Sequence, residues 1–139
     1  MPTPIYCKTS LRDRGDGTGV KQKPREKEKE EVQEEPYLLC CQCLHPITPK
    51  SAKIVVNGAH MHTFANPHGI VFDIGCFQSA DGCAPVGAAT DEFTWFAGYI
   101  WRIALCRACL THMGWMFTAA DGGSRFFGLI LDHLLESDQ

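Results

Sequence analysis

The chain has 139 residues, 45% of them hydrophobic, and a formal net charge of −3. That length suits one domain, and no apolar run reaches the roughly twenty residues needed to cross a bilayer. Beyond Cys40 only Lys50, Lys53, Arg102, Arg107 and Arg125 stand against eight carboxylates, so no basic stripe is present to neutralise phosphates and neither nucleic acid nor membrane is an expected partner.

The first seven residues, Met-Pro-Thr-Pro-Ile-Tyr-Cys, lack a basic region followed by an apolar one, so no signal peptide is read and the cytoplasm is the expected location. Residues 12–19 are rich in Gly, Asp and Arg, and 21–35 form a run of mixed charge. Neither stretch has a periodic apolar face whose burial would offset the entropy of ordering it. Residues 1–36 are therefore expected to be a disordered charged arm, with the folded domain at 37–136. Arg14-Gly15-Asp16 matches an integrin-recognition tripeptide, read here as a chance match. About a hundred residues remain for the fold, few enough for a metal staple to matter.

From Tyr37 the texture changes. Short apolar stretches at 53–56, 61–64, 70–72 and 100–105 are each bounded by Gly, Pro, Asn or Asp, which is the spacing of short strands joined by turns. The nearly continuous apolar run at 126–135 fits a strand or a helix equally well. The expected fold class is mostly β.

Four of the eight cysteines fall in two pairs, Cys40-x-x-Cys43 and Cys106-x-x-Cys109. Each pair turns two sulfurs to one side of a knuckle, and two knuckles complete a tetrahedral zinc site with bonds of about 2.3 Å. Four thiolates close the coordination sphere, so the ion is expected to be structural, with no position left for water or substrate. Two redox pairs are the weaker reading, because neither pair follows a βαβ pattern. Cys7, Cys41, Cys76 and Cys83 are read as free thiols.

All three tryptophans, Trp95, Trp101 and Trp115, lie close in sequence and interleave with the second cysteine pair. Two readings of this density stand: simple core, or the walls of a pocket. Trp95 and Trp101 bracket a glycine-containing turn, whereas Trp115 and Phe117 are two apart and would share one face of a strand.

Taken in order, Cys40-Cys41-Gln42-Cys43, Phe64-Ala65-Asn66-Pro67-His68-Gly69, Phe93-Thr94-Trp95-Phe96-Ala97-Gly98-Tyr99-Ile100-Trp101, Cys106-Arg107-Ala108-Cys109, His112-Met113-Gly114-Trp115-Met116-Phe117 and Phe126-Phe127-Gly128-Leu129 resemble the CULT domain, the thalidomide-binding module of cereblon. The resemblance runs over about 39–135. It implies a β-tent of two antiparallel sheets pinned by a four-cysteine zinc site, and a ligand cage made by Trp95, Trp101 and Trp115 with Phe117 as its floor. The cage would hold a cyclic imide of the glutarimide or thalidomide type, with uridine and proteins ending in a cyclic imide as further candidates.

Within that resemblance the Phe93 carbonyl would accept the imide N–H and the Trp95 backbone N–H would donate to one ring carbonyl. Phe93 stands where animal members have a histidine that bonds the second carbonyl, Thr94 replaces a serine, and losing one neutral hydrogen bond costs about 0.5–1.5 kcal/mol. Asn66 belongs to the loop that approaches ligands leaving the cage, and is equally a good turn former. His112 is read as orienting a knuckle or the cage backbone. No Lon-like domain or helical adaptor-binding segment precedes the cage, so a stand-alone bacterial type without a ubiquitin-ligase adaptor is expected.

Two other readings compete. A methionine sulfoxide reductase of the B type shares a zinc-pinned sheet but needs a reactive cysteine near the pocket, and neither Cys76 nor Cys83 lies in its Arg-x-Cys-x-Asn context. A Yippee-like interaction module would leave the tryptophans without a task. A zinc deaminase needs His-x-Glu, which His60-Met61-His62 does not supply.

Overall fold

The computed structural model describes residues 35–137. The expectations for the charged arm, including Cys7 and the Arg-Gly-Asp tripeptide, fall on residues outside the described ones. The first described residues are already tied to the domain. The Pro36 carbonyl accepts the Lys50 N–H at 3.0 Å, and a Glu35 carboxylate oxygen accepts the Ser51 hydroxyl at 2.7 Å.

Among the described residues there are nine strands: β1 Tyr37–Cys40, β2 Pro46–Pro49, β3 Met61–Ala65, β4 Val71–Phe77, β5 Cys83–Thr90, β6 Tyr99–Cys106, β7 His112–Ala119, β8 Arg125–Ile130 and β9 Leu134–Glu136. They make two antiparallel sheets, one ordered β9-β1-β2 and one ordered β3-β4-β8-β7-β6-β5. The expected mostly-β architecture of two antiparallel sheets is the observed one. No helix among the described residues is long and apolar enough to cross a membrane.

The expected strand at 53–56 is not formed. Asn57 and Gly58 both adopt positive φ, 52° and 88°, the backbone of a tight two-residue hairpin turn. The chain reverses so soon that Val56 pairs with Ala59 alone, and Lys53 makes one bridge to Phe77. The ambiguous run at 126–135 resolves into β8, a 3-10 turn over Leu131–His133, and β9. β8 lies in the large sheet and β9 in the small one, so this run carries the chain from one sheet to the other.

The two faces of the large sheet pack differently. One cluster joins Met113, Met116, Phe127, Leu129 and Ala104 to Leu38, Ile47 and Leu134 of the small sheet. The other gathers Trp115, Phe117, Phe126, Phe96, Ile74 and Cys76, with Phe64, Phe72, Trp95 and Trp101 half-buried against them. Strict alternation along β7 would put Met113 and Trp115 on one face. A bulge prevents it: Leu105 faces His112 and Ala104 faces Gly114, leaving Met113 as the extra residue. A side chain at Gly114 would run into the Gly128 carbonyl, so β7 and β8 approach this closely only around a glycine.

Candidate functional site

Cys40 ends β1 in the small sheet and Cys106 ends β6 in the large one, so the two C-x-x-C turns meet where the sheets join. Their backbones are near copies. Cys40 N–H donates to the His45 carbonyl, Leu44 N–H to the Cys40 carbonyl, and Gln42 N–H to the Cys40 sulfur at 3.4 Å. Cys106, Leu110 and Ala108 repeat the pattern, with Ala108 N–H 3.4 Å from the Cys106 sulfur. Leu44 and Leu110 close the two turns with the same φ of 68°.

The sulfurs of Cys40 and Cys109 are 3.7 Å apart, those of Cys43 and Cys106 3.6 Å, and all four lie within 4.8 Å of one another. This is too long for disulfides and close to the roughly 3.8 Å edge of a tetrahedron with metal–sulfur bonds of about 2.3 Å. The four cysteines are therefore close enough to hold a metal ion. Burial pushes the Cys40 thiol up to about 12, so a cation is what would keep this sulfur ionised.

The aromatic site is built on the second face of the large sheet. Register places Trp101 opposite Phe117 and Ile103 opposite Trp115, so two adjacent rows of side chains share that face. Phe72 lies edge-on to Trp115 at 5.2 Å. Trp95 comes from the loop between β5 and β6 and stacks on Phe64 at 4.8 Å and 11°. It also meets Trp115 edge-to-face at 4.8 Å. The indole N–H of Trp95 donates to the Ala65 carbonyl at 3.3 Å and that of Trp101 to the Glu92 carbonyl at 2.9 Å. Each donor locks its ring plane, which turns loose aromatics into walls.

Trp95, Trp101, Trp115, Phe117, Phe93 and Asn66 all line one cavity of about 600 Å³. Thr94 is not among the lining residues. Its N–H reaches the Asp91 carbonyl and its hydroxyl the Phe96 carbonyl, so it shapes the turn. The Asn66 side-chain oxygen accepts the N–H groups of His68 and Ile70, both at 2.9 Å. Asn66 thus holds its loop as well as lining the cavity.

Phe93 adopts φ 55° and is 69% exposed, a conformation uncommon for a bulky residue. Among the described residues, neither its carbonyl nor the N–H of Trp95 makes a hydrogen bond. An acceptor and a donor two residues apart are left open at the edge of the aromatic walls.

His112 also lines the cavity. Its Nε2–H donates to the Gly114 carbonyl at 3.0 Å and its ring lies edge-on to Trp115 at 4.8 Å. Burial holds its pKa below the ordinary imidazole value, so a neutral ring fixes the bulge and the tryptophan beside it. Pro67 and His68 of the Asn66 loop line it too, and so do Phe72, Ile70, Ile103, Thr90 and Glu92, which were not singled out from sequence. Phe72 sits directly across from Phe64 in the β3–β4 pair, a relation that only strand register reveals.

The remaining cysteines divide. Cys76 and Cys83 are buried free thiols, pushed up to about 11 and about 12 by burial. Cys41 is disulfide-bonded, against the expectation of a free thiol.

No family model matches the chain. Among curated proteins it is similar to protein cereblon of Danio rerio, 38% identical over 78 residues, 54% of this chain and 18% of that protein. Protein cereblon of Xenopus tropicalis is 40% identical over 72 residues, 50% of this chain and 16% of the relative. That of Drosophila willistoni is 48% identical over 46 residues, 31% of this chain and 8% of the relative. The chain thus spans less than a fifth of the length of the curated relatives it matches. Identities of this size over about half the chain make it a homologue of cereblon, consistent with a CULT domain.

Proposed function

We propose that the chain is a non-enzymatic binding domain that holds cyclic imides in the cage of Trp95, Trp101 and Trp115, beside a structural zinc bound by Cys40, Cys43, Cys106 and Cys109. The observation that carries this reading is that, among the described residues, the Phe93 carbonyl and the Trp95 N–H have no partner at the edge of an aromatic-walled cavity. A cyclic imide presents the complement, an N–H beside a carbonyl on a flat ring with apolar methylenes. Aromatic faces suit the ring and backbone groups suit its polar edge. A ligand that covers these groups and makes both hydrogen bonds is favoured over one that covers them and makes neither.

Zinc fits the four sulfurs by donor type and spacing, and with all four coordinated it would tie the two sheets together and leave catalysis aside. The enzyme reading finds less support. Cys76 and Cys83 are both buried with raised pKa, whereas a sulfoxide reductase needs an accessible thiolate. His60 and His62 each bond loop carbonyls through a ring nitrogen, at 3.0 Å to Ile54 and 2.9 Å to Val56, which suits a strut.

The test is titration with glutarimide followed by tryptophan fluorescence, in the wild type and in Trp101→Ala. Trp101 is the cleanest wall to remove, because Trp115 is 8% exposed and belongs to the packed cluster. Losing a desolvated wall typically costs about 2 kcal/mol at a hot spot, roughly a thirtyfold loss of affinity. Absence of any response to millimolar glutarimide in the wild type would end the imide reading.

A further inference from the structure

The bulge in β7 sets Met113 between His112 and Gly114 and so parts Met113 from Trp115. A bulge interrupts the ladder, and the backbone polar groups beside it turn to other partners. Here two imidazoles supply the donors. The His112 ring donates from Nε2 to the Gly114 carbonyl at 3.0 Å, and the His133 ring donates from Nδ1 to the His112 carbonyl at 2.7 Å. A carbonyl oxygen only accepts, so each of these ring nitrogens carries a proton.

His133 lies 21 residues further along the chain than the carbonyl it holds. It ends the 3-10 turn by which the chain leaves β8 in the large sheet for β9 in the small one. Its own carbonyl accepts the Cys41 N–H at 3.0 Å, inside the first cysteine knuckle, and its neighbour Leu134 pairs with Cys40. The backbone of His133 is thus tied to the small sheet while its side chain reaches β7 of the large one. His133 does not line the cavity, whereas His112 does, edge-on to Trp115 at 4.8 Å.

These contacts make one continuous path from the sheet junction to the aromatic wall. The His112 carbonyl belongs to the planar peptide that joins His112 to Met113, so a bond on it fixes the entry to the bulge and the direction of the His112 ring. That ring in turn abuts Trp115. We infer that His133 is a positioning residue for the ligand site: acting through the His112 carbonyl and ring, it holds Trp115 in place as a wall of the cavity. This rests on the cage reading of that site and adds to it a residue from outside the cavity. A wall already fixed in the free protein spares the ligand the cost of ordering it.

The experiment uses the full chain labelled with 5-fluorotryptophan, whose three tryptophans give three fluorine resonances. Trp95→Phe and Trp101→Phe assign their own lines and leave the third to Trp115. His133→Asn and His133→Asp are alike in shape, but asparagine can donate an N–H from about the place of Nδ1 and aspartate only accepts. His133→Ala removes the donor without adding a charge. The Trp115 resonance should shift or broaden in His133→Asp and His133→Ala and stay in place in His133→Asn. Glutarimide affinity should fall about threefold to tenfold in the first two, as for one lost hydrogen bond, and remain within about twofold of wild type in the third.

A Trp115 line unmoved in both His133→Asp and His133→Ala, or moved as far in His133→Asn, overturns the inference even where the melting temperature falls, because His133 then serves stability alone. A moved line with unchanged glutarimide affinity overturns it too. If His133→Asp does not fold, His133→Ala against His133→Asn makes the same decision. Wild-type protein that ignores glutarimide ends the imide reading, and the Trp115 line then decides on His133 by itself.

Discussion

The two faces of the six-stranded sheet use their apolar side chains in opposite ways. The face toward the small sheet is filled by Met113, Met116, Phe127 and Leu129, each at most 7% exposed, against Leu38, Ile47 and Leu134. The other face carries rings that stop short of closing, since Phe72, Trp95 and Trp101 remain half-buried around a cavity, with Phe64 stacked behind Trp95. A stable core has no use for half-covered rings whose planes are fixed by indole N–H bonds to carbonyls. The first face therefore serves the fold, and the second leaves its rings around an open cavity. Aliphatic and methionine side chains adapt to fill space, whereas flat rings held by a polar handle keep a shape.

The largest effect should come from the hinge that lets both faces exist. In Cys40→Ser one sulfur ligand is lost, and structural sites of this kind have apparent metal-binding free energies on the order of 10 kcal/mol. The expected outcome is unfolded or aggregated protein without stoichiometric zinc, read by metal analysis and circular dichroism. Stoichiometric metal and an intact fold in this variant would show that the sheets need no metal staple.

Gly114→Ala should come next. Its Cβ would collide with the Gly128 carbonyl, forcing β7 from β8 and disturbing the bulge that assigns Met113 to one face and Trp115 to the other. A destabilisation of about 3 kcal/mol or more is expected, read as a fall in melting temperature. Little change would mean that the two faces do not depend on that bulge.

Phe93→His acts on the open face alone. A histidine there regains a side-chain donor for a second imide carbonyl and tolerates positive φ better than phenylalanine. Affinity for glutarimide should rise by about 0.5–1.5 kcal/mol, measured by the same fluorescence titration, with the melting temperature no lower. Weaker binding would show that the Phe93 ring itself contacts the imide.

The smallest effect should be a gain. Leu44 and Leu110 sit at φ 68° and are 49% and 65% exposed, so each pays left-handed strain of roughly 1–2 kcal/mol while burying little. Glycine removes that strain but loses more chain entropy on folding. Leu44→Gly and Leu110→Gly should each stabilise the protein by up to about 1 kcal/mol, with zinc content and ligand affinity unchanged. A clear loss of stability would mean that these leucines are covered in the working protein.

Much of this molecule was legible before any coordinates. The metal site was, because C-x-x-C is a local geometry: two residues of spacing already turn both sulfurs to one side, and only the distant pairing of the knuckles is left to the fold. The lining role of Trp95, Trp101, Trp115 and Phe117 came from the resemblance to the CULT domain, with the two-residue period of β7 adding only that Trp115 and Phe117 share a face. Thr94 read as a site residue because the resemblance places it in the turn just before the first tryptophan of the cage, yet that turn sends its hydroxyl back to the Phe96 carbonyl. The expected strand at 53–56 failed for a related reason, since Asn57-Gly58 reverses the chain before any ladder can form.

What the sequence by itself determined were the local and chemical facts: short strands, two sulfur knuckles, and a supply of rings near one of them. The tertiary structure alone decided which rings face one another, because strand register is set by contacts between residues far apart in the chain. Register put Phe72 opposite Phe64 and Ile103 between Val86 and Trp115, and a single bulge in β7 separated Met113 from Trp115. A one-residue shift in pairing moves a side chain to the other face, so whether these rings fill a core or line a cavity was decided by the sheet and not by composition.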